Sequence, residues 1–550
     1  MHPTHSILCI PYVLAGIWLC LYSITGCQSS GEGLHSLVAH FPLKQNFENS
    51  LNTELEAITY GNVVANGSFT HFDGKSDWLE VPFSEGFEGD EISISVWVNA
   101  TDEGKDVPGD ILSWYDSENR KGFHLSLKTN YVTTSQANYR QLTFGIDDNY
   151  QSEWEDVGKP GNALLAFSLA DFEGNLYAGT CEPGGEEAGR VYRYDGAQRW
   201  IDSGNPDNSN SVMAMAEFQN DLYVGTGHYQ LGGSSLPDSE NQNPGGRIFR
   251  YEGTDQWVFC GQLPGVTTIG GMVVYKGHLY ASSLYSPGFF RYNGGEEWID
   301  CGTPSGKRVV ALCVFNDFLY ATSYDNGNVY RYDGESWEDC GPVGDNKQTY
   351  SFIPYKGELH VATWPSGRVY RFKGVNQWED IGRLGEELEV MGMIVQNGRF
   401  IGGTLPLAEV YSYEGDTTWV RMEQLDKTPD VRYRRVWAMA EHDGRVFSST
   451  LPSGHLFAFE SGKSTSWGHA FPSGWNHVVA TVTKNNLSLH VNGEEVSRTD
   501  LPEDFHFSLP VNSPLRIGFG SNDYFNGELR DLRIYNRSLS LAEIKKLNHE

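Results

Sequence analysis

Between residues 151 and 460 one pattern of apolar and polar positions keeps returning. Its clearest copy is residues 309–341, VVALCVFNDFLYATSYDNGNVYRYDGESWEDCG. An apolar run is followed by a turn of Asn/Asp/Lys/Gly type, then by "LYxxT", a loop, "VYRYDG" and a last segment holding Trp. Short alternating runs separated by N-D, K-G or D-G pairs predict β-hairpins, so each copy predicts four strands. The second position of "LY" is filled by Tyr177, Tyr223, Tyr280, Tyr320, His360, Phe400 and Phe447. These seven copies predict seven four-stranded units. The tryptophans of the last strand (Trp154, Trp200, Trp257, Trp298, Trp337, Trp378 and Trp419) start one strand early, before the first "LY". That offset predicts a ring closed by pairing QSEWEDVG (151–158) beside GHLFAFES (454–461), with Trp467 as a competing candidate for the closing strand.

Outside the repeats, the same period of two marks LVAHFPLKQNFENS (37–50), FTHFDGKSDWLEVP (69–82), ISISVWVNA (92–100), GFHLSL (122–127) and LTFGID (142–147) as strands. It does so again for GWNHVVATVTKNNLSLHVNGEEV (474–496), PLRIGFG (514–520) and GELRDLRIYNRSLSLAEIKKL (527–547). Neither set can bury its faces alone, whereas the two together make up about 200 residues, the size of a sandwich.

Four strands at a period of about 40 residues resemble the β-propeller class, with kelch-like repeats the nearest comparison. The pieces "FDGKSDWLEVP", "SISVWV", "GWNHVVATV", "LHVNGEEV" and "RIYNRSLSLAEI" resemble the two halves of a LamG-like, or concanavalin A-like lectin/glucanase, jelly roll. The fold expected is therefore all-β: a jelly-roll sandwich interrupted by a seven-bladed β-propeller. The expected order is a signal peptide (1–26), a tether (27–33), the first jelly-roll half (34–149), the propeller (150–462) and the second half (463–550). Insertion between two sandwich strands suits a loop position.

Residues 7–25 are apolar, and Ile24-Thr25-Gly26-Cys27 resembles the lipobox of bacterial lipoproteins, which implies export and a lipid anchor at Cys27. An ordinary secretory signal or an uncleaved anchor helix remains an alternative, since a run of this length is borderline for spanning a bilayer. The first 26 residues contain no Asp, Glu, Lys or Arg, so the net charge of −31 lies wholly in the rest of the chain. Such a surface repels phosphate backbones and argues against nucleic acid as a partner. Five cysteines remain beyond Cys27, and Cys260, Cys301 and Cys340 occupy one repeated position, "W-x-x-C-G", expected to be too far apart between blades to bridge.

The jelly-roll resemblance implies carbohydrate or protein recognition with a Ca²⁺ ion, and its acidic positions fall on Asp73, Asp77 and Asp531. Where the family carries two acidic residues, this chain has Arg530-Asp531. On the propeller, the loops after the second strand and between blades hold His228, Tyr229, Tyr285, Tyr324, Asp325 and Trp364, with Arg308 and Arg435 at blade entries. Aromatic faces beside polar groups suit a sugar, whose C–H faces stack while its hydroxyls are bonded. Residues 228–246 form one long insertion placed to cover or flank the central channel. No Ser/His/Asp signature, HExxH, phosphate loop or dinucleotide fingerprint is present. The leading expectation is a surface-anchored recognition protein for glycans or an extracellular partner. The alternatives are a polysaccharide hydrolase or lyase acting on the propeller face, and a structural envelope protein.

Overall fold

The computed structural model describes residues 36–82, 89–100, 109–131, 136–510 and 513–550. The apolar leader, Cys27 and the tether lie outside the described residues. The chain is all-β, with one short helix, Leu541–Leu547, started by a capping box between Ser540 and Glu543.

In the repeats, the turn between first and second strands is built the same way seven times. Glu173-Gly174, Gln219-Asn220, Lys276-Gly277, Asn316-Asp317, Lys356-Gly357, Asn397-Gly398 and Asp443-Gly444 all hold positive φ at both positions. That is the two-residue turn whose twist matches a hairpin, which is why Gly, Asn and Asp recur there. Five four-stranded antiparallel sheets stand apart as propeller-like blades. The other repeat strands, Leu165–Phe172 through Gln256–Gln262, form one eight-stranded sheet in which two four-stranded meanders meet at a single Cys181–Ser211 pairing. One blade is completed from a distance. Glu155–Asp156 pairs with Leu456–Phe459, joining the start of the repeat region to its end. Trp467 instead lies on Ser461–Ala470, a strand of the sandwich described below.

The repeated Trp ties neighbouring blades together. In five of the seven copies its indole N–H donates to a carbonyl about one repeat earlier: Trp200 to Val157, Trp298 to Cys260, Trp337 to Gly302, Trp378 to Cys340 and Trp419 to Ile381, at 2.8–3.1 Å. The five described cysteines are free thiols.

Apart from a two-stranded pair, Glu48–Asn49 with Asn52–Glu56, the remaining strands form two large sheets, and each draws strands from both ends of the chain. In one, Ile92–Ala100 lies between Gly474–Val482 and Asn526–Tyr535. In the other, Leu515–Ile517 lies between Trp78–Val81 and Gly109–Asp116, and Gln136–Gln151 pairs with Ser461–Ala470. Between the sheets, Ile94, Val96, Val98, Phe123, Leu125, Leu127, Phe144, Ala480 and Leu529 are fully buried, and the alternation along each strand decides which side chains enter.

The opposite face of the second sheet is polar yet equally buried: His124, Ser126, Gln141, Thr143 and Asp147. The hairpin turns of the blades rest on it. Asn397 Nδ2 donates to the Ser461 carbonyl at 2.6 Å, Gly174 N to Gly468, Lys356 N to Ser521 and Gly357 N to Asn522. Lys128 pairs with Glu441 at 2.9 Å. One face of the propeller is thereby held by the sandwich, and the loops after the second strands lie at the other end of the blades.

Candidate functional site

At that open end the structure gathers part of the expected residues around one buried ion pair. Arg435 opens the strand Arg435–His442 and Glu389 opens Glu389–Gln396 on the preceding blade. Their side chains pair at 3.1 Å, 8% and 1% exposed. Burial pushes the Glu389 carboxyl above its ordinary range, against the pull of Arg435 and of a hydrogen bond from Tyr350. Burial also opposes charge on Arg435, but Glu389 together with Tyr229, Tyr350 and Tyr324 outweighs it and holds the guanidinium pKa above its usual value. Arg435 Nη1 donates to Ser234 Oγ at 2.7 Å, and Ser234 shares a 2.6 Å hydrogen bond with the Tyr229 hydroxyl. Tyr229 is buried edge-on against Phe167 and Trp437.

Tyr285 and Tyr324 join this group while staying half-buried. The Tyr285 hydroxyl accepts from Gln230 N–H at 3.0 Å, and the Tyr324 ring meets Tyr350 edge-on at 5.1 Å. The insertion therefore folds inward over the axis through Gln230 and Ser234. Its far end is pinned to the first meander, where Ser239 Oγ and Glu240 N donate to the Pro183 carbonyl. Between these anchors lies an open pocket of about 430 Å³ lined by His228, Tyr229, Gln230, Asp238, Ser239 and Gln242 among others.

The other expected residues stand apart from the ion pair. Arg308 and Asp325 pair with each other at 2.7 Å, and the Arg308 guanidinium beside Asp325 holds its carboxyl below the usual range. Arg308 also lies over the Tyr324 ring at 5.8 Å. Trp364 is half-buried, with Lys347 Nζ 5.8 Å above its ring. Glu389, Tyr350, Trp437 and Ser234 escaped the sequence reading. The first position of the inner strand offered little signal, because it holds Leu165, Ser211, Gln348, Glu389 and Arg435 in different blades.

The three aspartates expected to hold calcium are each engaged by other groups of the chain. Asp73 accepts the backbone N–H groups of Lys75, Ser76 and Asp77, which, against some desolvation, lower its pKa. Asp77 accepts from Asn62 N–H. Asp531, at φ 54°, is held by His40 at 2.7 Å and Arg533 at 3.0 Å. Among the described residues no group of three His, Cys, Asp or Glu side chains is arranged to hold a metal.

Residues 417–545 match the model of the concanavalin A-like lectin/glucanases superfamily. The match begins in a propeller strand and runs to the C-terminal helix, so the sandwich strands before residue 151 lie outside it. No curated protein matches in sequence. Among solved structures, an extracellular domain from B. thetaiotaomicron aligns at 13% identity with a TM-score of 0.41, covering 62% of this chain and 46% of that one. The computationally designed Ika8 protein aligns at 9% identity and TM-score 0.37, covering 66% and 99%. A gluconolactonase from Xanthomonas campestris aligns at 12% and 0.33, covering 60% and 95%. Among the described residues no helix is long and apolar enough to cross a membrane.

Proposed function

We propose that the chain is an exported recognition protein that binds glycans on the open face of its propeller. One observation carries this reading: Tyr285 and Tyr324 stay half-buried on that face beside an Arg435–Glu389 pair fixed by burial, and Trp364 is half-buried apart from the pair. Rigid rings offer stacking surface at little entropic cost, and the adjoining pocket supplies His228, Gln230, Asp238 and Gln242 for hydroxyl groups. In this reading the eight-stranded sheet is two blades, which makes seven with the five separate ones. The jelly roll spans 34–149 and 463–550, and its inner sheet serves as the base of the propeller. Export follows from the apolar leader, with lipid attached at Cys27; replacing Cys27 with Ser should abolish fatty-acid incorporation.

A glycan array probed with the mature protein, with and without chelator, tests the ligand class. The expected result is binding to a saccharide that is lost at least tenfold in Tyr324→Ala and Trp364→Ala and is indifferent to chelator. Failure with every glycan would overturn the reading in favour of a protein partner.

A further inference from the structure

The blades do not join one another in the same way everywhere. Six residues after the repeated Trp, four junctions carry a buried apolar residue: Leu263, Val343, Leu384 and Leu425, none more than 5% exposed. Each also donates its backbone N–H to the entry of its own third strand, Leu263 to Gly246, Val343 to Gly327, Leu384 to Gly367 and Leu425 to Ala408, at 2.9–3.0 Å. The side chain plugs the junction and the hydrogen bond prolongs the outer strand.

At the other three junctions the same count gives proline: Pro160, Pro206 and Pro304. Proline has no N–H to donate. Before Pro206 and Pro304 the outer strand ends early, as Trp200–Asp202 and Glu297–Asp300, where counterparts run Gln256–Gln262, Trp337–Pro342 and Gln377–Arg383. Pro304 is only half-buried and lines an opening beside it. The space left is an open pocket of about 570 Å³ between residues 301–307 and the next blade.

We propose that this junction pocket is a second saccharide site, shaped for one or two units of a neutral sugar. Its volume lies within the range of about 300–1,000 Å³ of small-ligand pockets. Its lining combines the Trp337 ring with Asn326, Asn328, Ser336, Asp339 and Lys307. Trp337 is held in place, its indole donating to Gly302 and its ring packed against Phe289 and Tyr332. Asp339 is equally fixed, because Asn328 Nδ2 donates to both its oxygens at 2.9 Å and Gly341 N to one. A fixed aromatic face beside planar amide and carboxylate groups matches the C–H face and vicinal hydroxyls of a pyranose. Asp339 and Glu335 oppose the single Lys307, so the lining favours a neutral sugar over a phosphate or a sulfated one. The pocket wall is braced by the chain neighbours of Lys307 and Asn326, the paired Arg308 and Asp325.

The site shares a ligand class with the proposed function but not a location, so the two can fail separately. Saturation-transfer NMR on the full chain with methyl glycosides of glucose, galactose, mannose, xylose and N-acetylglucosamine at millimolar concentration supplies the readout. At least one glycoside should show transfer, and Pro304→Leu, which restores the plug and the N–H, should weaken it at least tenfold. Asp339→Asn, which leaves the plug unfilled, should weaken it severalfold as a second check. Tyr324→Ala and Trp364→Ala should leave this signal intact. Absence of transfer from all five glycosides, or transfer unchanged in both Pro304→Leu and Asp339→Asn, overturns the proposal. Transfer abolished by Tyr324→Ala but retained in Pro304→Leu would leave the open-face reading standing and remove this one.

Discussion

The two ends of the propeller blades are made from the same repeat and treated in opposite ways. At one end the two-residue turns are short and regular; those at Gly174, Lys356-Gly357 and Asn397 bond to Gly468, Ser521, Asn522 and Ser461 of the sandwich, whereas Gln219-Asn220 and Lys276-Gly277 stay exposed. At the other end the loops vary in length, aromatic rings stay half-buried, and a buried ion pair joins two blade entries. The repeat constrains one end to be a docking surface and leaves the other free to diverge. Divergence of loops on a rigid scaffold is where binding residues are expected.

The largest test of this contrast is Arg435→Ala. Removing one partner strands the Glu389 carboxylate in a buried site, and such a loss costs about 3–5 kcal/mol. The half-exposed pair at the rim should behave differently: Asp325→Ala is expected to cost about 1 kcal/mol or less. Urea denaturation midpoints of the two variants check both numbers. A double change of Arg435 to Met and Glu389 to Gln should recover much of the first loss, because it leaves no uncompensated charge. Equal, small losses at both pairs would mean that the axis is wetter than its burial implies.

A smaller effect is expected at the docked end. A Cβ on Gly145 would lie 1.8 Å from Asn397 Oδ1 and 2.8 Å from its Cγ. Asn397 is 3% exposed and cannot swing away without losing its bond to Ser461. Gly145→Val should therefore cost about 1–3 kcal/mol of overpacking and about 1 kcal/mol for the hydrogen bond. Hydrogen exchange should show the loss spread over the turn Asn397-Gly398 and the strand Ser461–Ala470, with the loops at the open end unaffected.

How much of this was legible in the sequence follows the same division. The turns announced themselves through Lys-Gly, Asn-Asp and Asp-Gly pairs, and the strand around Glu155 through a Trp out of step with its "LY" partner. Both signals are local and repeated. The burial of His124, Ser126 and Thr143 was not legible, because alternation with Phe123, Leu125 and Phe144 reads as one wet face and one dry face. Only a second body laid over the wet face makes it buried, and no single strand encodes that. Glu389 was missed for a related reason: an acidic residue beginning a strand resembles any solvated position until its partner is found 46 residues later. Asp531 shows the reverse dependence. Its type suited a cation, but His40, some 490 residues earlier in the chain, occupies the carboxylate with Arg533.

Acid should sharpen the comparison, because three buried histidines sample different parts of the molecule. Burial pushes His124 on the docked face down to about 3, His360 in a blade to about 4 and His477 in the sandwich to about 4. Each native value lies below the unfolded value of about 6.5, so below that pH the unfolded chain takes up protons that the native chain refuses. Stability from these groups is present above pH ~6.5 and is lost as pH falls toward 4. Each histidine contributes on the order of 1 kcal/mol per pH unit across that window. Replacing His124 with Gln should flatten the slope of the denaturation midpoint between pH 6.5 and 5 by about a third if these three histidines dominate it. A slope unchanged in this variant would assign the acid sensitivity to groups away from the docked face.

The smallest expected effect concerns the insertion at the open end. Its inward fold depends on Gln230 N–H meeting the Tyr285 hydroxyl and on Ser234 meeting Arg435. Tyr285→Phe keeps the ring and removes only the acceptor, which should cost about 0.5–1.5 kcal/mol locally. Because Gln230 is exposed, water can replace the hydroxyl, and global stability should change by less than the local figure. The sensitive readout is amide exchange at Gln230, expected to rise severalfold while exchange at Ser461 and Asn522 on the docked face stays constant. Were both ends to respond together, the insertion would be coupled through the blades to the sandwich, and the open face could not vary independently of its base.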